Sequence, residues 1–206
     1  AETEVVRGPN IKPLPINSEL DNEIVKKVMI KVEDNITTDH IAPAGAKVLP
    51  YRSNIEKISE FIFMNVKASF HDDCLANGGG FIVAGSNYGQ GSSREHAALV
   101  PNYLKIKAIF AVSFARIHRS NLINNGILPL VIKANEQDFF NDHDSYKIIN
   151  IKEVVENNGE VEVINENTNN AIAAINKIAW PSKGPAISFT VLEIAAPANP
   201  TAQRRM

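Results

Sequence analysis

Apolar and polar positions change period several times along the chain, and each change predicts an element. Val28, Ile30 and Val32 recur at every second position, which predicts a short strand. The turn formers of Asn35–Gly45 follow as a loop that carries Asp39 and His40. From Ser53 onward, Ile55, Ile58, Phe61 and Ile62 recur at three- and four-residue steps, so residues 54–65 read as a helix. Ser53 and Glu56 form an S-x-x-E capping box at its start. Phe81–Ala84 is an apolar run stopped by Gly85; the glycine-rich stretch to Gly91 reads as loop, and Ala97–Val100 as a short helix ended by Pro101. Ala108–Val112 and Ile127–Ile132 read as buried strands on either side of a helix, Phe114–Asn121, that closes near Asn125-Gly126. Beyond them Tyr146–Val155 and Glu160–Ile164 flank Asn158-Gly159, the dipeptide of a tight hairpin.

The two ends read differently. Pro9, Pro13 and Pro15 fix φ and remove backbone donors, so residues 1–26 read as a linker leading into a domain over 27–178. In residues 179–206 four of the 11 prolines gather and asparagine occurs once, a shift that marks a tail contributing little to the core. The first residues, Ala1-Glu2-Thr3-Glu4, offer no initiator Met, basic region or apolar stretch, as expected of a piece of a longer polypeptide.

Composition narrows the function classes. With 206 residues, 44% of them hydrophobic, the chain can bury a core as one large domain or two small ones, which excludes intrinsic disorder. A formal charge of −2 offers no broad footprint for nucleic acid or an anionic membrane. The longest uncharged run, Cys74–Ser93, is filled with Gly, Asn, Gln and Ser and does not suit a bilayer core. One cysteine, Cys74, excludes an internal disulfide framework and a thiol set for an iron–sulfur centre; it points to a reducing compartment, cytoplasmic, or the mitochondrial matrix in a eukaryote. The five histidines show no H-x-x-x-H spacing, so no metal is assigned to this chain.

The candidate chemistry lies in Asn87-Tyr88-Gly89-Gln90-Gly91-Ser92-Ser93-Arg94-Glu95-His96. Ser92 and Glu95 form a second S-x-x-E box, which predicts a helix start where free N–H groups and the positive dipole end converge. Arg94 adds a bidentate donor, so the predicted ligand is an anion. Ser92 is either a plain N-cap or a base whose alkoxide those donors stabilise. The esterase elbow G-x-S-x-G is absent. Thr37-Thr38-Asp39-His40 is a second polar cluster, and Arg52 stands beside the start of the 54–65 helix; Asp39 as an Asx-turn residue and Arg52 as a surface cation are the plain alternatives.

Thr37-Thr38-Asp39-His40-Ile41-Ala42-Pro43-Ala44-Gly45, the block Asn87–Leu99, and Ser113-Phe114-Ala115-Arg116-Ile117-His118, followed by Asn121-Leu122 and Gly126-Ile127-Leu128-Pro129-Leu130, resemble the C-terminal swivel domain of aconitase in order and spacing. The resemblance covers roughly residues 5–178. It implies an α/β fold, a three-layer β/β/α swivelling domain that closes over a cleft whose other wall, with a 4Fe-4S cluster, lies on N-terminal domains absent here. It implies Ser92 as catalytic base, Ser93 and Arg94 as substrate-carboxylate ligands with Arg94 also supporting the alkoxide, Arg52 as a further carboxylate ligand, and Asp39 as an active-site loop residue. The chain departs from the family at Ala42, often Ser, and in residues 179–206; Arg52 also lies one position further from Asp39 than in some relatives.

The implied reaction interconverts citrate and isocitrate through cis-aconitate; this chain alone is expected to be inactive and to bind no cluster. Expected partners are a tricarboxylate and the cluster-binding domains of the same enzyme, with no membrane and no nucleic acid. Two rivals stand. An isopropylmalate isomerase or homoaconitase would share the base but bind a different substituent, and a cation at Arg52 favours a third carboxylate over an isopropyl group. A non-catalytic anion- or RNA-binding module would need a basic, aromatic-interleaved stripe that the sequence lacks.

Overall fold

A computed structural model describes residues 8, 11, 12, 19–157 and 159–175. The tail over 179–206, most of the leading segment and Asn158 of the expected hairpin turn lie outside the described residues. The strands are β1 (Ile24–Lys31), β2 (Gly80–Ala84), β3 (Ile106–Ala111), β4 (Leu128–Val131), β5 (Ser145–Ile149), β6 (Glu160–Asn165) and β7 (Ala171–Ile175). They close into a barrel in the order β1-β2-β3-β4-β7-β6-β5. Strands β1 to β4 run parallel, while β5, β6 and β7 pair antiparallel and complete the ring. The helices are α1 (Thr38–Ile41), α2 (Ile55–Ser59), α3 (Phe70–Asn77), α4 (His96–Tyr103), α5 (Arg116–Asn124) and α6 (Ile151–Asn157).

Two cores follow from the pleat. Val28, Phe81, Val83, Ala108 and Phe110 point into the barrel with Tyr146, Ile148 and Val163 from the antiparallel half. Ile30, Ile82, Ala84, Ile109 and Ala111 point outward and are covered by Ile55, Ile58, Phe70, Ala97, Val100 and Leu122 of the helices. The layers are therefore β, β and α, as the resemblance implied. All five residues of β2 are buried, which is why this strand reads as an unbroken apolar run rather than an alternation. Inside the barrel Phe81, Phe110, Phe140 and Tyr146 form a chain of ring contacts, edge-to-face between Phe81 and Phe110 and tilted beyond, and Tyr146 Oη donates to Phe139 O at 3.0 Å.

Several local expectations are corrected. Strand β1 begins four residues before Val28. The helix expected over 54–65 is regular only over Ile55–Ser59 and continues as turns, and its cap is Asn54, whose side chain accepts from Lys57 N at 3.0 Å, not Ser53. Pro101 lies inside α4: it forfeits one bond, but Leu104 N still donates to Val100 O at 3.1 Å and the helix runs to Tyr103. Asp39 and His40 sit on a single helical turn, α1, rather than in open loop. Strands β5 and β6 do pair antiparallel, but α6 fills the connection, so no tight hairpin turns there; the hairpin is β6–β7. Helix α3 was not expected. Among the described residues no helix is long and apolar enough to cross a membrane.

Candidate active site

Parallel strands send their carboxyl ends, and the loops that follow, to one edge of the sheet, where α/β domains bind ligands. Here β1 leads to α1 with Asp39, β2 leads to the Gly85–Glu95 loop with Ser92, Ser93 and Arg94, and β3 leads to the start of α5. Two isolated bridges, Thr37 with Gln90 and Tyr88 with Phe114, tie the three loops together. Thr38 N donates to Gln90 O at 2.9 Å, Thr38 Oγ1 donates to Ser92 O at 3.2 Å, and Gly89 N donates to Ile36 O at 2.7 Å. Thr37 caps α1 by accepting from His40 N, while its own N–H donates to His40 Nδ1, both at 3.1 Å.

Arg94 stands at the centre. Its Nη1 donates to Asp39 Oδ1 and to Ala42 O, each at 2.8 Å. The pair is one-fifth exposed on the arginine and two-thirds exposed on the aspartate, so its worth is orientation rather than stability. Nε and Nη2 of Arg94 have no partner among the described residues and remain available as donors. Ser92 and Ser93 are exposed beside it. The second capping box does not form: Arg94 N donates to Ser92 O at 2.7 Å in a tight turn, α4 begins at His96, and Glu95 at its cap makes no side-chain bond. The Ser92 hydroxyl is therefore not engaged as an N-cap. The reason is glycine placement: Gly89 and Gly91 hold φ of +81° and +110°, which keeps the chain in loop up to the serines.

Arg52 lies to one side. It is exposed at the end of the turn over 49–51, its carbonyl faces His96 Nε2 at 2.9 Å, and it lines a small pocket of about 110 Å³ with Leu49, Val48, His96 and Arg94. A second cavity of about 200 Å³ lies on the other side, lined by Ser92, Ser93, Arg116, His118 and Asn121 as well as Arg94. Arg94 forms the wall shared by both. Thr38, which also lines this cavity, and Arg116, His118 and Asn121 were given no role from sequence, although Arg116 and His118 belong to the third block of the resemblance. His118 is 2% exposed, and burial pushes its pKa down to about 4, so the ring is neutral near pH 7. Burial likewise raises the Tyr88 hydroxyl and lowers Arg119.

Exposed serines and an anchored arginine gather at the carboxyl ends of the parallel strands of an α/β domain, an arrangement whose free donors can receive an anion. Residues 22–135 match the aconitase C-terminal domain model, and the chain belongs to that family. It is 35% identical over 205 residues to a probable mitochondrial aconitate hydratase of Dictyostelium discoideum, covering 82% of this chain and 26% of that protein. It is 42% identical over 118 residues to 3-isopropylmalate dehydratase small subunit 1 of Thermotoga maritima, covering 57% of this chain and 68% of that protein. The solved structure of a 3-isopropylmalate dehydratase from Methanocaldococcus jannaschii superposes with a TM-score of 0.60 at 29% identity, over 74% of this chain and 81% of that one. The chain thus spans about a quarter of the length of the Dictyostelium aconitate hydratase and most of the small subunits.

The family implies an iron–sulfur cluster, and the described residues do not present a ligand set that fits one. Among the described residues no three His, Cys, Asp or Glu side chains gather as a ligand set. Cys74 is buried in α3 beneath the outer core, and burial pushes its thiol up to about 12, far from the thiolate a cluster requires.

Proposed function

We propose that this chain supplies one wall of an aconitate hydratase active site, in which citrate and isocitrate interconvert through cis-aconitate. The Ser92 alkoxide, stabilised by the free donors of Arg94, takes the proton from the carbon next to a carboxylate and becomes the neutral hydroxyl, while Arg94 and Ser93 hold a substrate carboxylate. Asp39 fixes the Arg94 guanidinium, and Arg52 meets a further carboxylate from the adjacent pocket. The observation that carries this reading is the anchoring of Arg94 Nη1 by Asp39 and Ala42 O, which leaves its other donors without a partner among the described residues, next to an uncapped Ser92. A 4Fe-4S cluster belongs to partner domains outside this chain, a division that the buried, high-pKa Cys74 supports. The mitochondrial names of several relatives support a matrix location.

The test uses the complete protein. Ser92→Ala is expected to lower kcat by a factor on the order of 10²–10⁴ with little change in KM, while Ser93→Ala raises KM. Near wild-type turnover in Ser92→Ala would remove the base from this chain. A second reading, an isopropylmalate dehydratase small subunit, is favoured by the high coverage of the small subunits. Arg52 weighs against it, because a cation in that pocket suits a carboxylate and not an isopropyl group.

A further inference from the structure

Arg52 is exposed, and its guanidinium has no partner among the described residues, so where it can reach is decided by its backbone. That backbone closes the turn over 49–51. The bonds that shape the turn are local: Val48 N donates to Gly45 O and Tyr51 N to Val48 O, each at 2.9 Å, and Asn54 N to Tyr51 O at 2.7 Å. Arg52 N reaches Leu49 O only at 3.3 Å. These bonds set the form of the turn and leave open where it stands against the rest of the rim.

The tie comes from the facing side of the small pocket. His96 is the first residue of α4 and precedes Ala97 and Ala98, both fully buried, so its ring hangs from a packed platform. Its Nε2 lies 2.9 Å from Arg52 O, and among the described residues this is the side-chain bond that joins the turn to the Ser92–His96 segment. A carbonyl oxygen only accepts, so Nε2 carries the proton and donates it. Arg52, Arg94 and His96 line the one pocket of about 110 Å³ together. Two guanidiniums grip two carboxylates of a single ligand only at a matching separation, and a small misplacement of such a clamp is costly.

We propose that His96 is a positioning residue: by donating to the Arg52 carbonyl it fixes the backbone of Arg52 against the segment that carries Arg94, and so sets the spacing of the two cations. The role acts through Arg52 and needs no contact between His96 and substrate. It rests on the reading of Arg52 as a carboxylate ligand, and it does not depend on Ser92 being a base.

The test is a double-mutant cycle in the complete protein, with affinity for tricarballylate, an unreactive tricarboxylate, read by calorimetry. His96→Leu is expected to weaken the probe about tenfold in the otherwise wild-type protein. In the Arg52→Leu background the same change is expected to cost less than about twofold, because the guanidinium it positions is already gone. His96→Gln, which keeps an N–H donor near the place of Nε2, is expected to bind like the wild type, whereas His96→Asn, too short to reach the carbonyl, is expected to behave as His96→Leu without an apolar change. Citrate turnover should show the same split, with KM raised and kcat within about twofold of the wild type. Wild-type affinity in both His96→Leu and His96→Asn overturns the role, as does an equal loss in the Arg52→Leu background or no rescue by His96→Gln. The two readings fail apart: a loss in Arg52→Leu that the His96 variants do not share removes only the positioning role, while no loss in Arg52→Leu removes Arg52 as a carboxylate ligand and this role with it.

Discussion

Gly89 occupies a position where no side chain fits. Its φ of +81° lies in the left-handed region, and a Cβ there would run into the His118 ring. Gly89→Ala is expected to destabilise the fold by roughly 2–4 kcal/mol and to displace the serine loop, measured by denaturant unfolding and by a loss of turnover larger than the stability loss accounts for. Arg52 should behave oppositely. Because it is exposed and packs little, Arg52→Leu is expected to leave the melting transition unchanged while raising KM for citrate on the order of 10²-fold. Unaltered kinetics for citrate, with gained turnover of isopropylmalate, would favour the small-subunit reading.

At the scale of elements, caps decide where helices start. Asn54→Ala removes the acceptor for Lys57 N and is expected to cost about 0.5–2 kcal/mol, whereas Ser53→Ala, at a position that caps nothing, is expected to be near neutral in the same unfolding assay. Both residues are good cap formers and adjacent, so sequence placed the cap one residue early, and it carried the helix past Ser59 into what are turns. The same pattern misled at Ser92: S-x-x-E is a local signal, but two left-handed glycines upstream and the bond from Thr38 Oγ1 to Ser92 O keep that segment in loop. Strands β2 and β3 were legible because double burial makes β2 apolar throughout and β3 apolar at every position but Lys107. Helix α3 was not, since it buries only Phe70 and Cys74 among polar neighbours and presents no apolar stripe. The serine and arginine cluster was legible as chemistry; the approach of Asp39 to Arg94 across 55 positions was not, because only the parallel pairing of β1 and β2 brings their loops together.

For the whole molecule, the neutral buried His118 sets an acid limit. Its pKa falls from 6.5 to about 4 on folding, so the unfolded chain takes up the proton first as pH drops. The stabilisation is complete above pH 6.5 and is lost progressively towards pH 4, in total on the order of 3 kcal/mol. Unfolding curves between those pH values should show this slope in the wild type and a shallower one in His118→Gln. The barrel divides by strand direction, with β1 to β4 parallel and β5 to β7 antiparallel. Because Asp39 and Arg94 hang from neighbouring strands of the parallel half, the register of β1 against β2 doubles as the alignment of the ion pair, and a slip of that ladder would part the two residues.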